Sequence, residues 1–267
     1  MTRFIKMHGL GNDFLVLDAR AQPITLSAAQ VRSLANRHTG IGFDQLVLIE
    51  PSASADVRLR FWNSDGGEVA ACGNGSRAAA TLLGGTHSIE TAGGRLDSAA
   101  TTGGAEVDMG QPRWEWDAVP LAYPMDTANL PLAWEGLEHP MALSVGNPHV
   151  VFFVADAAAV ALEQIGPVIE HDPVFPERVN VGIAQVVARD HLILRVWERG
   201  AGATLACGTG AVAAVAAAQR RGLVDTAVRV SLPGGDLNVT RRDDGHLLLA
   251  GPAVIAFTGD IDLELHA

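Results

Sequence analysis

The chain has 267 residues, of which 48% are hydrophobic and 29 are glycine, and it carries a net charge of −11. That composition describes a folded chain long enough for one large or two ordinary domains, and it excludes a disordered one. With no basic tract to offset the acidity, nucleic acid and anionic membrane surfaces are disfavoured as partners, and a small polar substrate fits better.

In chain order, the opening Met1-Thr2-Arg3-Phe4-Ile5-Lys6 lacks the apolar core of a signal peptide, and no apolar run is long enough to span a bilayer, so a cytoplasmic location is expected. Lys6, on the first apparent strand, is the only lysine. It stands without a partner motif, which argues against a pyridoxal-phosphate Schiff base, and no cofactor is expected. Gly11-Asn12 leads into an apolar run, Phe14 to Leu17, and a mixed segment then reaches a second short run after Gln45. Leu59 to Trp62 alternates with period two as a third strand, a glycine-containing loop follows, and Ala71-Cys72-Gly73-Asn74-Gly75 opens a helix. The boundary of the first half is expected near residue 113, where Gln111-Pro112-Arg113 to Pro124 has linker-like composition.

The same order then returns. Gly146-Asn147 precedes Val150 to Val154, Asn180 precedes another apolar run, and Leu192 to Trp197 leads to Ala206-Cys207-Gly208-Thr209-Gly210. Cys72 and Cys207, the only cysteines, lie 135 positions apart, and Asn12/Asn147, Gln45/Asn180 and Trp62/Trp197 share that offset. Gly93-Gly94-Arg95-Leu96 and Gly234-Gly235-Asp236-Leu237 are related with six further residues, as if the second copy gained them after its helix. A helix from about Thr209 to Arg221 is apolar on every side, which requires burial, and Gly222 is a suitable stop. We therefore expect an α/β fold of two related halves, residues 1–113 and 114–253, each with one central helix.

Two cysteines without a Cys-x-x-Cys or Cys/His cluster do not make a metal site, and a reducing compartment disfavours a disulfide. At a helix start, however, a thiol meets unpaired N–H groups and the positive end of the dipole, both of which favour thiolate. Gly73, Gly75, Gly208 and Gly210 would let a carboxylate approach those N–H groups. An α-amino acid held there with one sulfur on each face of its α-carbon could lose a proton to one thiolate and gain one from the other thiol, inverting the centre.

At Met7-His8-Gly9-Leu10-Gly11-Asn12-Asp13-Phe14, at Asn63 to Arg77, at Asn147-Pro148-His149 and at Trp197-Glu198-Arg199-Gly200-Ala201-Gly202 to Gly210, the sequence resembles the diaminopimelate epimerase family. That resemblance implies cofactor-independent interconversion of LL- and meso-diaminopimelate in lysine and peptidoglycan synthesis, performed by a homodimer. It implies two pseudo-twofold-related lobes of α+β type, each a mixed sheet curled into a barrel around a central helix, with a final strand at about 254–267 returning to the first lobe. Position by position, Cys72 and Cys207 match the proton-transfer residues, and His149 and Glu198 match groups that assist them. Gly73-Asn74 and Gly208-Thr209 match the backbone cradle of the reacting carboxylate. Asn12, Gln45, Asn63, Asn147, Asn180, Glu198 and Arg199 match substrate-lining positions, with Arg199 suited to a bidentate pair with the distal carboxylate. Ala203 and Gly67 depart from the family pattern, where a glutamate and a serine are common, and Gly67 is expected to loosen its loop. The alternatives are a proline racemase or hydroxyproline epimerase, and a noncatalytic binding protein or redox switch. Gly11-Asn12-Asp13-Phe14 and Glu198-Arg199 favour a substrate with a second charged head over proline.

Overall fold

A computed structural model describes residues 1–70 and 72–266. Ala71, the first residue of the repeated cysteine phrase, and Ala267, the last of the expected final strand, lie outside the described residues. The chain divides into two units, Met1–Asp108 with Ala250–Ala267, and Met109–Leu249. The division thus falls before Pro112-Arg113. Arg113 exchanges backbone hydrogen bonds of 2.8 and 2.9 Å with Ser144, which commits it to the second unit.

The first unit runs β1 (Thr2–Gly9), β2 (Asn12–Asp18), α1 (Ala28–Ala35), β3 (Gln45–Glu50), β4 (Val57–Asn63), β5 (Glu68–Val69), α2 (Gly73–Leu83), β6 (Thr86–Thr91), β7 (Gly94–Thr101) and β8 (Gly104–Asp108). The second runs β9 (Ala133–Trp134), β10 (Leu137–Glu138), β11 (Met141–Ser144), β12 (Pro148–Phe153), α3 (Leu162–Glu170), β13 (Asn180–Ala188), β14 (His191–Glu198), β15 (Gly202–Thr204), α4 (Gly208–Arg220), β16 (Ala227–Leu232) and β17 (Gly235–Arg241). The chain passes back to the first unit within β18 (Leu247–Pro252), and β19 (Val254–Ile261) pairs antiparallel with β1.

Strand registers reproduce the sequence offset. Phe14 faces Gln45 across parallel β2 and β3, and His149 faces Asn180 across parallel β12 and β13. Leu46 opposite Trp62 is matched by Val181 opposite Trp197, and Phe61 opposite Val69 by Val196 opposite Thr204. Beyond the helices the match needs the six extra residues, Val57 facing Ile89 in one unit and Leu192 facing Val230 in the other.

In each unit the strands pair both parallel and antiparallel and wrap one buried helix. Helix α2 packs against β1, β2, β3, β6, β7 and β8, strands from both ends of its ladder, and α4 packs likewise against β11, β12, β13, β14, β16 and β17. Residues Ala211 to Ala218 of α4 are all buried, as its apolar circumference requires. The strands beneath α2 are covered on both faces: Phe14, Val16 and Val47 join Ala78 and Ala79, whereas Leu15, Leu17 and Leu46 join Val31 and Leu34 of α1. Near-continuous apolar runs follow from that double burial. Helices α2 and α4 are the one central helix expected of each half, and α1 and α3, which were not expected, occupy what read as mixed segments. Trp62 packs on the α1 side, and Trp197 packs on the core beside α3 while its indole N–H donates to Glu170 (2.7 Å).

Candidate functional site

Both cysteines are helix N-caps in extended conformation, Cys72 at φ −147°, ψ 105° and Cys207 at φ −126°, ψ 108°. In each case Sγ accepts a backbone N–H from three residues on, Gly75 at 3.2 Å and Gly210 at 3.3 Å. These bonds satisfy a helix-start donor and reward negative charge on sulfur. Gly75 and Gly210 have a packing role as well. A Cβ at Gly75 would stand 3.1 Å from Phe61 and Val47 side-chain atoms, and one at Gly210 would stand 2.9 Å from Val196 and 3.1 Å from Cys207 Sγ. Gly75 and Gly210 let the helix start sit against its own strand.

In the first unit, the Cys72 thiol donates to Gln45 Oε1 (2.7 Å), and Gln45 Nε2 donates to Asn63 Oδ1 (3.1 Å). Gln45 and Asn63, expected to line a substrate pocket, thus bond each other, and Gln45 bonds the sulfur. Asn74 Nδ2 donates to Asn12 Oδ1 (3.1 Å), and Asn12 Nδ2 donates to Asp44 (3.0 Å). Asp44 in turn accepts from Arg37 (2.7 Å), which also grips Asp13 (2.9 Å). Burial alone would raise the Asp13 carboxyl, but Arg37 and Lys6 hold it well below the usual range. Lys6 is buried, pairs with Asp13 at 2.6 Å and donates to the Gly42 carbonyl. The lone lysine is therefore structural. Gly67 is tied down, since its carbonyl accepts from Asn63 N–H (2.9 Å) and its N–H donates to Asp65 (2.7 Å), contrary to the looser loop expected.

In the second unit, Asn147 Nδ2 donates to Thr209 Oγ1 (3.3 Å), the counterpart of the Asn12–Asn74 pair, and Thr209 Oγ1 lies 3.6 Å from Cys207 Sγ. His149 Nε2 meets Asn147 Oδ1 at 3.0 Å, and since that oxygen only accepts, Nε2 carries the proton. Complete burial, helped by the Arg199 charge, pushes His149 down to about 3, so it stays neutral and fixes Asn147. Asn180 spends its amide on the Pro148 carbonyl (2.7 Å) and the Arg199 N–H (3.0 Å). The Arg199 guanidinium is exposed and donates to the Glu177 carbonyl (3.0 Å). Glu198 accepts from Thr204 (2.5 Å), and Ala203, where the family pattern departs, is exposed. Burial first, then the Glu198 carboxylate, pushes the Cys207 thiol well above the usual range. The helix start alone predicts the opposite, and here desolvation and a like charge outweigh it.

Sequence reasoning missed Asp44, the anchor of Asn12, and Arg77, fully buried on α2. Asp44 had one signal, its place directly before Gln45. Among the described residues, no group of three or more His, Cys, Asp or Glu side chains could hold a metal ion, and no helix is long and apolar enough to cross a membrane.

The family model described as diaminopimelate epimerase matches residues 4–115 and 141–256. A diaminopimelate epimerase of Rhizorhabdus wittichii is 56% identical over 98% of this chain and 96% of its own length, and one of Erythrobacter litoralis is 57% identical over 97% of each. Among solved structures, a hydroxyproline epimerase from Agrobacterium vitis with bound trans-4-hydroxy-L-proline aligns with a TM-score of 0.71 at 14% identity, covering 97% of this chain and 90% of that one. That likeness concerns the fold alone. By the family match and these full-length relatives, the chain belongs to the diaminopimelate epimerase family.

Proposed function

We propose that this protein interconverts LL-2,6-diaminopimelate and meso-2,6-diaminopimelate without a cofactor, in the synthesis of lysine and peptidoglycan precursors. It is an isomerase. The observation that carries the mechanism is the matched pair of thiol N-caps, Cys72 and Cys207, each accepting a backbone N–H three residues on. In this reading one sulfur, as thiolate, takes the α-proton, and the other, as thiol, returns a proton to the opposite face. Negative charge that builds on the α-carboxylate as the proton leaves is met by the backbone of Gly73-Asn74 and Gly208-Thr209 at the two helix starts.

The surrounding side chains take graded parts in this proposal. Asn12 and Asn147, each held by a partner on its own helix start, contact the substrate, as do Asn63 and Glu198. Gln45 acts on substrate through Cys72, which it already bonds. Asn180 orients the Arg199 backbone, leaving the exposed guanidinium to receive the distal carboxylate. His149 supports Asn147 and moves no proton itself. A second charged head on the substrate gives Arg199 a use that proline does not.

The test supplies reduced protein with LL-diaminopimelate and, separately, L-proline, and follows each isomer by chiral chromatography. The meso isomer should accumulate with no added cofactor while proline is unchanged. No meso product, or inversion of proline, contradicts the proposal.

A further inference from the structure

Of the buried positions at which the two cysteine-bearing helices differ, one differs in charge. Arg77, on the second turn of α2, has no exposed surface, and among the described residues none of its three guanidinium nitrogens has a hydrogen-bond partner. Room for it comes in part from Gly9 on β1, where a Cβ would stand 3.4 Å from Arg77 Nη2. The strands around α2 carry other ionisable groups, including Lys6, His8, Asp13, Glu90, Asp97 and Asp108, but none pairs with Arg77. Burial lowers the guanidinium to about 10, which still leaves it protonated at neutral pH, and charge on Cys72, the cap of the same helix, acts in the opposite direction. A buried cation without a counterion is unfavourable, and ionising the thiol that caps its own helix supplies one.

The second unit reverses this arrangement. At the 135-residue offset Arg77 becomes Val212, fully buried and apolar, and the neutral Asn63 becomes Glu198. Cys72 thus shares its unit's interior with a lone cation, and Cys207 lies beside a carboxylate.

We propose that Arg77 is a positioning residue that holds Cys72 as the thiolate of the resting enzyme, so that Cys72 begins as the base and Cys207 as the acid. This rests on the two-thiol reading above. The Cys72 proton leaves to solvent, the guanidinium keeps its own, and the Gln45 and Asn63 amides turn over together, so that Gln45 Nε2 donates to the sulfur and Asn63 Nδ2 donates to Gln45 Oε1.

The test is alkylation of the substrate-free enzyme by iodoacetamide across pH 5 to 10, with each cysteine's peptide quantified by mass spectrometry. Midpoints of the pH profiles, not absolute rates, are compared, because Cys207 is the more buried thiol. In the native chain the Cys72 midpoint should lie below that of Cys207. Arg77→Met should raise the Cys72 midpoint by about one pH unit, about a tenfold loss of its rate at pH 7, and leave Cys207 unchanged, whereas Arg77→Lys should stay near native. A native Cys72 midpoint at or above that of Cys207 overturns the inference, and so does an unshifted profile in folded Arg77→Met. If Arg77→Met does not fold, Arg77→Gln takes its place, with the same upward shift of the Cys72 midpoint expected and an unshifted profile again overturning the inference. Because no substrate is present, failure here is distinct from failure to epimerise diaminopimelate.

Discussion

Buried next to Asn147, His149 has a folded-state value of about 3 against an ordinary 6.5, set by desolvation and then by the Arg199 charge. Above pH 6.5 the ring is neutral in both folded and unfolded chains, and its burial carries no protonation penalty. Below that, the unfolded chain takes up a proton that the native state refuses, so stability is lost as pH falls from about 6.5 toward 3, at up to ~1.4 kcal/mol per unit. Urea midpoints at pH 7 and pH 4.5 should therefore differ, and His149→Gln should narrow the difference; an equal loss in both proteins would show that His149 is not responsible. The sequence makes such residues visible unevenly. Cys72 and Cys207 stand out through a repeated phrase, and Asn12 and Asn147 through their shared offset. Arg77 and Asp44 acquire their importance from desolvation and from partners distant in sequence, neither of which a linear pattern records.

At the scale of elements, the thiol-bearing helices depend on how closely their first turns approach the strand beneath. Alanine in a helix is worth about 1 kcal/mol over glycine, while overpacking costs about 1–3 kcal/mol. At Gly75 the added Cβ meets the ends of Phe61 and Val47 side chains at 3.1 Å, and the two terms should nearly cancel. At Gly210 it meets Val196 at 2.9 Å and the Cys207 sulfur at 3.1 Å, so Gly210→Ala should lose about 1–2 kcal/mol in urea unfolding and much of kcat. Equal behaviour of the two variants would contradict this account of the helix starts. The helices that sequence reading missed have identifiable disguises. Helix α1 is only eight residues long, although its Ser27–Gln30 capping box was a usable signal. Helix α3 contains Pro167, which removes a donor, and Gly166, whose Cβ would come within 2.6 Å of Trp197. Packing against the sheet holds a segment that local propensity alone would leave irregular.

For the molecule as a whole, the duplicated registers explain why one offset organises strands, helices and thiols together, and why it lengthens only after the helices. Strand β19 adds an apolar surface that stays half exposed: Val254, Ile255 and Phe257 remain 46%, 50% and 51% exposed. We propose this face as part of the contact in a homodimer, a state consistent with exposed apolar strand surface needing cover. Sedimentation should give a dimer for the native protein and a monomer for Phe257→Asp, whereas a native monomer would remove the proposal. The central claim, two thiols acting on one carbon, is tested most directly by early turnover of LL-diaminopimelate in D₂O. With two bases, meso product should carry deuterium at the inverted carbon while unreacted substrate stays largely protiated, and Cys72→Ala and Cys207→Ala should each slow inversion by about 10²–10⁴-fold. Deuterium entering recovered substrate as fast as product, or near-native inversion by either variant, would contradict the account.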